Sequence, residues 1–191
     1  MNFWYRFFYA LIFPLAKLLY PCKITGREKI PEGPLIVCAN HTGLLDPVYI
    51  AIAYGRKRQL FFMAKAELFK IPVVKTLFRI VGIFPVDRGR PDINSIRICM
   101  KHIKAGERIM LFPEGTRVEN SGDVQAKLGA VRIAVKTGAL VQPVYVSPNR
   151  RKFHWSKLII GDPFKIAPPE NKDYEHLAAQ LMDKIYSLEN S

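Results

Sequence analysis

Short apolar runs alternate with longer amphipathic stretches along most of the chain. The short runs, rich in Val, Ile, Leu and Phe, are typical of buried strands, and the stretches with apolar residues three or four positions apart are typical of helices. Strands are predicted over 34–39, 59–63, 81–86, 108–112, 140–146 and 157–160, and helices over 47–54, 67–80, 93–104, 127–136 and 174–188. This alternation predicts a single α/β domain with a mixed, largely parallel sheet flanked by helices.

Polar residues follow three of the predicted strands. The first strand is followed by 40–46, the third by 87–90 and the fourth by 113–117. In open α/β sheets, ligands bind just beyond the carboxyl ends of the strands. We therefore expect the functional site in these three segments.

An aromatic-rich segment, residues 1–30, precedes the domain predicted at 31–191. Its uncharged run 7–16 is about half of the ~20 residues that a membrane-spanning helix needs, and Pro14 would kink that helix. Arg6 and Lys17 share one narrow stripe of the helix, opposite an apolar face. That face consists of Trp4, Phe8, Leu11, Leu15 and Leu19. The pattern favours a helix that lies in the membrane interface. Packing on the domain's own core and a single membrane span are the alternatives.

Composition narrows the possible functions. The 191 residues suffice for one domain, and 49% of them are apolar, which excludes a disordered or low-complexity chain. Subtracting 16 acidic from 29 basic residues gives a net charge of +13, which indicates nucleic acid, a membrane surface or a phosphorylated molecule as partner. The sequence has three cysteines, an odd number without the spacing of metal ligands, so we expect neither a disulfide framework nor a metal site. The sequence also lacks the glycine motifs of nucleotide binding and the GxSxG nucleophile motif.

His41 and Asp46 form the first candidate constellation. They are five residues apart, so on one continuous helix they would lie on different faces and can meet only across a turn. Gly43 gives the backbone between them the conformational freedom to turn, and Pro47 is suited to the first turn of a helix. Across such a turn, Asp46 would accept one ring N–H of His41 and leave the other nitrogen as a general base. The alternative is that Asp46 only caps the following helix.

The run Phe112-Pro113-Glu114-Gly115-Thr116-Arg117 forms the second constellation. Gly115 lets the backbone approach a ligand, Arg117 offers a fork of donors to phosphate, and Glu114 can orient Arg117 or a substrate hydroxyl. An ordinary Pro/Gly turn is the alternative. Further cations near other strand ends are Lys65, Arg88 and Arg90. A histidine base beside cations indicates a phosphate substrate that carries a hydroxyl group.

Four blocks of the sequence, 40–47, 82–88, 112–117 and 142–144, resemble those of a known family in the same order. They contain the His-x4-Asp motif, the run GIFPVDR, the run FPEGTR and the end of a late strand, QPV. Met63-Ala64-Lys65 and Lys127-x-Gly129 fit the same pattern. The chain resembles the glycerolipid acyltransferases typified by 1-acyl-sn-glycerol-3-phosphate (lysophosphatidate) acyltransferase, and the resemblance covers roughly residues 35–146.

The resemblance implies transfer of an acyl chain from acyl-CoA or acyl carrier protein to the sn-2 hydroxyl of lysophosphatidate, which gives phosphatidate in phospholipid biosynthesis. It implies that His41 is the general base, that Asp46 orients it, and that no covalent acyl-enzyme forms. It assigns the acceptor pocket to Lys65, Arg88, Glu114, Gly115, Thr116 and Arg117. It requires no metal and no cofactor other than the acyl donor. It places the protein on the cytoplasmic face of the cell membrane, as a peripheral or monotopic protein bound to anionic lipids.

The sequence differs from the family pattern at two positions, and two other functions are also compatible with it. Gly43 stands where the family often has Ser, and Val74 stands where a small residue is common. Another lysolipid or glycerol 3-phosphate is the alternative acceptor. A basic module that binds membrane or nucleic acid is the alternative from another class, with contact patches at 56–58 and 150–152. Such a module has no reason to place His, Asp, Glu and Arg at the ends of neighbouring strands, so we expect no nucleic-acid partner.

Overall fold

The computed structural model describes residues 3–87, 93–118, 124–148, 150–169 and 171–190. The strands in these ranges are β1 Cys22–Thr25, β2 Leu35–Ala39, β3 Leu60–Lys65, β4 Ile83–Val86, β5 Arg108–Leu111, β6 Leu140–Val146 and β7 Ser156–Ile160. The helices are α1 Phe3–Leu19, α2 Asp46–Tyr54, α3 Pro72–Val81, α4 Ile93–Lys104, α5 Gly129–Thr137 and α6 Tyr174–Ser187.

The seven strands form one sheet in the order β1-β7-β6-β2-β5-β3-β4. All neighbouring strands run parallel except β6 and β7, which are antiparallel. The predicted α/β fold with a mixed, largely parallel sheet is confirmed. In this order β6, β2 and β5 are adjacent at the centre of the sheet, so the segments that follow these parallel strands meet at one edge.

The sheet separates two apolar layers, and β2 contributes to both. Every residue of β2 is buried, as expected for a central strand covered on both faces. Ile36 and Cys38 pack in the layer of α4, α5 and α6, whereas Leu35, Val37 and Ala39 pack in the layer of α2. The alternation follows from the two-residue period of a strand. It holds the carboxyl end of β2 rigidly between the two layers.

Two elements differ from the prediction. The helix predicted over 67–80 is divided into a 3-10 turn at Ala66–Lys70 and α3, which begins at Pro72. Proline suits the first turn of a helix because it has no N–H to donate. The strand β1 was not predicted, because its four residues are too few for the alternation of Lys23 and Thr25 with apolar residues to stand out from the polar segment that follows. It lies within residues 1–30, and the proposed domain boundary at residue 30 stays a prediction.

Helix α1 has an inner and an outer face. Tyr5 is buried on the inner face, and the Tyr9 hydroxyl donates a hydrogen bond to the carbonyl oxygen of Ile52 at 3.2 Å. The exposed apolar side chains of the outer face are Phe3, Trp4, Phe7, Leu11, Ile12, Leu15 and Leu18. Phe8 and Leu19, predicted on the exposed face, are half-buried. Helix α1 thus packs on the domain through its inner face and exposes apolar side chains on its outer face. In the described ranges, no helix is both long and apolar enough for a membrane span.

Candidate active site

Three chain segments converge beyond the carboxyl ends of β6, β2 and β5. β2 ends at Ala39 and leads into His41, β5 ends at Leu111 and leads into Glu114, and β6 ends at Val146. Asn40 connects two of these strands: its side-chain amide donates to the Val146 carbonyl and accepts the Val146 N–H, both at 2.8 Å. The segments after β2 and β5, which were predicted to hold the site because they follow strand ends, therefore lie close together.

His41 and Asp46 meet across the predicted turn. The His41 Nδ1 atom lies 2.9 Å from Asp46 Oδ2, and the same carboxylate oxygen accepts the backbone N–H groups of Thr42 at 2.7 Å and Gly43 at 2.8 Å. These amides precede α2, whose N-cap residue is Leu45, so the Asp46 carboxylate does not cap that helix and the alternative of a cap alone is wrong. An ionised carboxylate can only accept, so we assign the ring proton to Nδ1. Nε2 is then the basic nitrogen.

The position of His41 is fixed from two further sides. Its ring stacks on Phe112, with ring centroids 3.9 Å apart and an interplanar angle of 14°. Its backbone N–H donates to Glu114 Oε2 at 2.7 Å, and the Tyr186 hydroxyl donates to Glu114 Oε1 at 2.6 Å. Glu114 is buried. These contacts support His41, and the role of Glu114 in binding substrate stays a prediction.

Arg150 completes the environment of Asp46. Its Nη2 donates to Asp46 Oδ1, and its Nη1 donates to the Ser147 carbonyl at 3.0 Å. Only 7% of the Arg150 side chain is exposed. Burial lowers the pKa of Arg150, but from so high an ordinary value that the guanidinium stays charged at neutral pH. Arg150 lies within the basic contact patch predicted at 150–152, but its side chain is buried at the site, and Tyr186 was not among the predicted site residues. The strand-end rule, applied to β6, was the one signal for Arg150.

Of the predicted acceptor residues that the structure describes, Lys65, Thr116 and Arg117 lie on the same edge of the sheet at its surface, whereas Glu114 is buried. Lys65 ends β3, which neighbours β5, and its Nζ lies 3.2 Å from a carboxylate oxygen of Glu67. Thr116 and Arg117 follow β5 and are exposed. These side chains are therefore accessible to a phosphate group that arrives from solvent or from a membrane surface.

Gly115 gives the loop after β5 its sharp turn. Its φ of 71° lies in the left-handed region that favours glycine, and its N–H donates to the Phe112 carbonyl at 3.0 Å. A Cβ atom on Gly115 would lie 3.0 Å from Lys127 Cγ, which places the exposed side chain of Lys127 against this loop. Lys127 is thus a further cation at the site. Arg88 and Arg90 lie outside the described residues.

The cysteines offer no reactive thiolate. Burial raises the pKa values of the Cys38 and Cys99 thiols, and it also raises that of the half-buried Cys22. A protonated, buried thiol is a poor nucleophile. Among the residues that the structure describes, no three His, Cys, Asp or Glu side chains form a group that could hold a metal ion.

The family model described as acyltransferase matches residues 21–147, and these residues include β1 to β6 and the whole His41–Asp46 turn. The chain belongs to this acyltransferase family. It is 33% identical over 178 residues to the 1-acyl-sn-glycerol-3-phosphate acyltransferase of Bacillus subtilis, and the match covers 88% of each chain. It is 35% identical over 157 residues to the enzyme of the same name from Streptococcus pneumoniae. That match covers 77% of this chain and 57% of the Streptococcus protein.

A solved acyltransferase structure has the same fold. The crystal structure of the 1-acyl-sn-glycerophosphate acyltransferase PlsC from Thermotoga maritima matches with a TM-score of 0.70 and 26% sequence identity. The match covers 98% of this chain and 79% of that one. It extends beyond the family model to α1 and α6, so the likeness includes the elements on both sides of the matched region.

Proposed function

We propose that this acyltransferase transfers an acyl chain from acyl-CoA or acyl carrier protein to the sn-2 hydroxyl of 1-acylglycerol 3-phosphate, giving phosphatidate. The observation that carries the proposal is the buried contact between His41 Nδ1 and Asp46 Oδ2 at the edge of the sheet where Arg117 is exposed. A base beside an accessible guanidinium suits an acceptor that carries both a hydroxyl and a phosphate. The names of the relatives support the same acceptor.

The proposed reaction begins with proton transfer. His41 Nε2 takes the proton of the acceptor hydroxyl while the hydroxyl oxygen attacks the thioester carbonyl carbon. The tetrahedral intermediate then collapses: the carbon–sulfur bond breaks, and the thiolate leaving group takes the proton from His41. Asp46 holds the ring and stabilises its positive charge between these two steps. A positioned base of this kind contributes roughly 10²–10⁴-fold to the rate.

The acceptor phosphate would be held by exposed cations. Arg117 is suited to it because its planar guanidinium makes two parallel hydrogen bonds to a phosphate. Lys65 and Lys127 add positive charge on the same edge, and Arg88, Gly115 and Thr116 are assigned to this pocket by the resemblance alone. The expected consequence is that these residues affect substrate binding more than the chemical step.

The acyl group is proposed to pass directly between the two substrates. The raised pKa values of the Cys38 and Cys99 thiols argue against a cysteine acyl-enzyme. To test this point, the enzyme is mixed with labelled acyl donor in the absence of acceptor, denatured, and examined for labelled protein. We expect none, whereas one label per protein chain would contradict direct transfer.

We also infer that the protein binds peripherally to the cytoplasmic face of an anionic membrane through the outer face of α1. This face carries exposed Trp4 and Leu11, with exposed Arg6 and Lys17 at its flank. Helix α3 packs against α1 and exposes Val73 together with the basic side chains of Lys75 and Arg79. Apolar side chains inserted at headgroup depth and cations beside anionic lipid are the two contributions that hold an interfacial helix.

A point substitution tests this inference better than deletion of α1, because Tyr5 and Tyr9 pack that helix on the domain. Leu11→Glu places a carboxylate on the outer face, and Ala179→Glu, on the exposed side of α6, makes the same change of charge elsewhere. We expect Leu11→Glu to weaken sedimentation with phosphatidylglycerol vesicles by at least about tenfold, since it loses the burial of one leucine. Equal sedimentation of the two variants would contradict the inference.

The acceptor is tested by chromatography of labelled products. Wild-type protein receives acyl-CoA or acyl carrier protein thioesters with lysophosphatidate, glycerol 3-phosphate or lysophosphatidylcholine in parallel. We expect phosphatidate from lysophosphatidate and much less product from the other two acceptors. A preference for glycerol 3-phosphate or lysophosphatidylcholine would assign the chain to a different acceptor within the family.

A further inference from the structure

Arg150 is held on three sides beside the catalytic carboxylate. It donates to Asp46 Oδ1 and to the Ser147 carbonyl, and its guanidinium carbon lies 5.1 Å from the centre of the Tyr49 ring. Its side chain is 7% exposed and that of Asp46 is 0% exposed. A buried guanidinium with this many fixed contacts is not a surface charge.

Gly43 makes room for this guanidinium. A Cβ atom on Gly43 would lie 2.8 Å from Arg150 Nη2 and 3.5 Å from Asp46 Oδ1. The φ angle of Gly43 is not among the positive values, so the backbone itself would accept a side chain. Arg150 Nη2 is the end of a long side chain, but its guanidinium is held by hydrogen bonds to Asp46 and Ser147, so the contact with it favours glycine at this position.

The contacts of Asp46 divide between its two oxygens. Oδ2 accepts from His41 Nδ1 and from the backbone amides of Thr42 and Gly43, whereas Oδ1 accepts from Arg150. The Thr42 hydroxyl is buried without a hydrogen-bond partner in the described part of the chain, so only its backbone amide supports Asp46. Arg150 is thus the side chain that holds the second oxygen.

We propose that Arg150 is a positioning residue for the His41–Asp46 pair, admitted by the absence of a side chain at Gly43. The proposal rests on the proposed role of His41 as general base. Arg150 fixes the rotamer of the Asp46 carboxylate, and its positive charge offsets the carboxylate charge next to the ring. Without that charge, the imidazolium form of His41 would be favoured and less free base would exist at neutral pH.

Charged groups from three of the described segments face His41. Asp46 contacts its ring, Arg150 reaches it through Asp46, and the Glu114 carboxylate accepts its backbone N–H and the Tyr186 hydroxyl. In the described part of the chain, the carboxylates of Asp46 and Glu114 and the guanidinium of Arg150 therefore act on His41 with opposite signs. Removal of the guanidinium moves the acid limb of the pH–rate profile to higher pH.

The test compares Arg150→Ala with Arg151→Ala, which removes the same charge from the exposed neighbouring residue. We expect Arg150→Ala to lower kcat by about 10–100-fold, the equivalent of one charge-assisted hydrogen bond, with KM little changed. We expect its acid limb to move upward, whereas Arg151→Ala keeps the wild-type profile. Arg150→Lys, which keeps the charge but not the fork of donors, should keep the wild-type acid limb and lose part of kcat.

Gly43 supplies a double-mutant cycle. Gly43→Ala should lower kcat in the wild-type background and have little further effect in the Arg150→Ala background, because the side chain it displaces is already gone. Losses that add in the double mutant would contradict the proposed link between the two positions. An increase in KM alone on Arg150→Ala would make Arg150 a substrate-binding residue and overturn the proposal.

A measurement without substrate separates this proposal from the proposed function. Histidine-selective ¹⁵N NMR follows the titration of His41, identified by the signals lost in His41→Ala. An upward shift of its midpoint in Arg150→Ala supports the positioning role even if the wild type acylates none of the acceptors. An unchanged midpoint in an enzyme that does form phosphatidate overturns the positioning role and leaves the proposed function intact.

Discussion

The chain contains two histidine–carboxylate pairs with the same spacing, and only one lies in the candidate active site. His41 and Asp46 are five residues apart and in contact at 2.9 Å, and His102 and Glu107 are five residues apart and in contact at 2.6 Å, in each case through Nδ1. The first pair follows the carboxyl end of β2, whereas the second directly precedes the amino end of β5. Since β2 and β5 are parallel, the two pairs lie at opposite edges of the sheet.

Their surroundings differ as much as their positions. The side chains of His41 and Asp46 are 10% and 0% exposed, whereas those of His102 and Glu107 are 22% and 40% exposed. Asp46 has backbone amides and Arg150 as further partners, and the His102 ring stacks on Phe61. A half-exposed pair is screened by water and contributes about 0–1 kcal/mol to stability. Spacing alone therefore does not distinguish the two pairs, and our proposal that His41 is the base rests on its burial and on the edge of the sheet where it lies.

The largest expected difference between the pairs comes from their carboxylates. Asp46→Asn should lower kcat by roughly 10²–10⁴-fold, because the amide no longer fixes the His41 tautomer or stabilises its positive charge. Glu107→Gln should leave kcat near the wild-type value. Steady-state kinetics of both variants, with thermal unfolding to confirm that each is folded, provides the check. Equal losses in the two variants would remove the distinction between the pairs.

The next largest effect concerns the surface around the His41 pair. Arg117→Ala should raise the KM for lysophosphatidate by about 10–100-fold, the equivalent of one lost charge-assisted hydrogen bond to phosphate, and should change kcat little. Arg56→Ala is the matched control, because Arg56 is exposed near the opposite edge of the sheet, beyond the end of α2. A loss confined to kcat, or an equal rise in KM in the control, would contradict the assignment of Arg117.

The smallest effects belong to the contacts behind His41. Tyr186→Phe removes one hydrogen bond to Glu114 and should lower the free energy of unfolding by about 1 kcal/mol, with a small loss of kcat. Glu114→Ala removes the bonds that this carboxylate accepts from His41 and Tyr186, and it should have the larger effect on the free energy of unfolding and on kcat. Chemical denaturation measures the free energy of unfolding, and steady-state kinetics measures kcat. A Glu114→Ala variant with normal kcat would show that the His41 backbone needs no support.

Local patterns predicted much of the fold. The limits of α4 and β6 agree with the apolar periodicity, since both elements have clear apolar faces or runs and are bounded by turn residues. The edge strand β1 is the exception, because its pairing with β7 depends on residues more than a hundred positions away and not on its own pattern. The division of the predicted helix at Pro72 was visible in the sequence as a helix-starting signal.

The candidate site was predictable where its parts are close in sequence. His41, Gly43 and Asp46 lie within one turn, so their contact followed from spacing and strand position. Arg150 and Tyr186 reach the same place from 104 and 72 positions beyond the carboxylates they contact. The rotation of α6 and the path of the chain after β6 determine those contacts. The end of β6 indicates only the region in which Arg150 lies, and no local pattern indicates Tyr186.

The central claim is that His41, and not histidine–carboxylate chemistry in general, activates the acceptor. The most direct test is the initial rate of labelled phosphatidate formation by His41→Ala and by His102→Ala, each shown to be folded. We predict that His41→Ala is slower than wild type by roughly 10²–10⁴-fold and that His102→Ala stays close to wild type. Normal phosphatidate formation by His41→Ala, or an equal loss in His102→Ala, would contradict the claim.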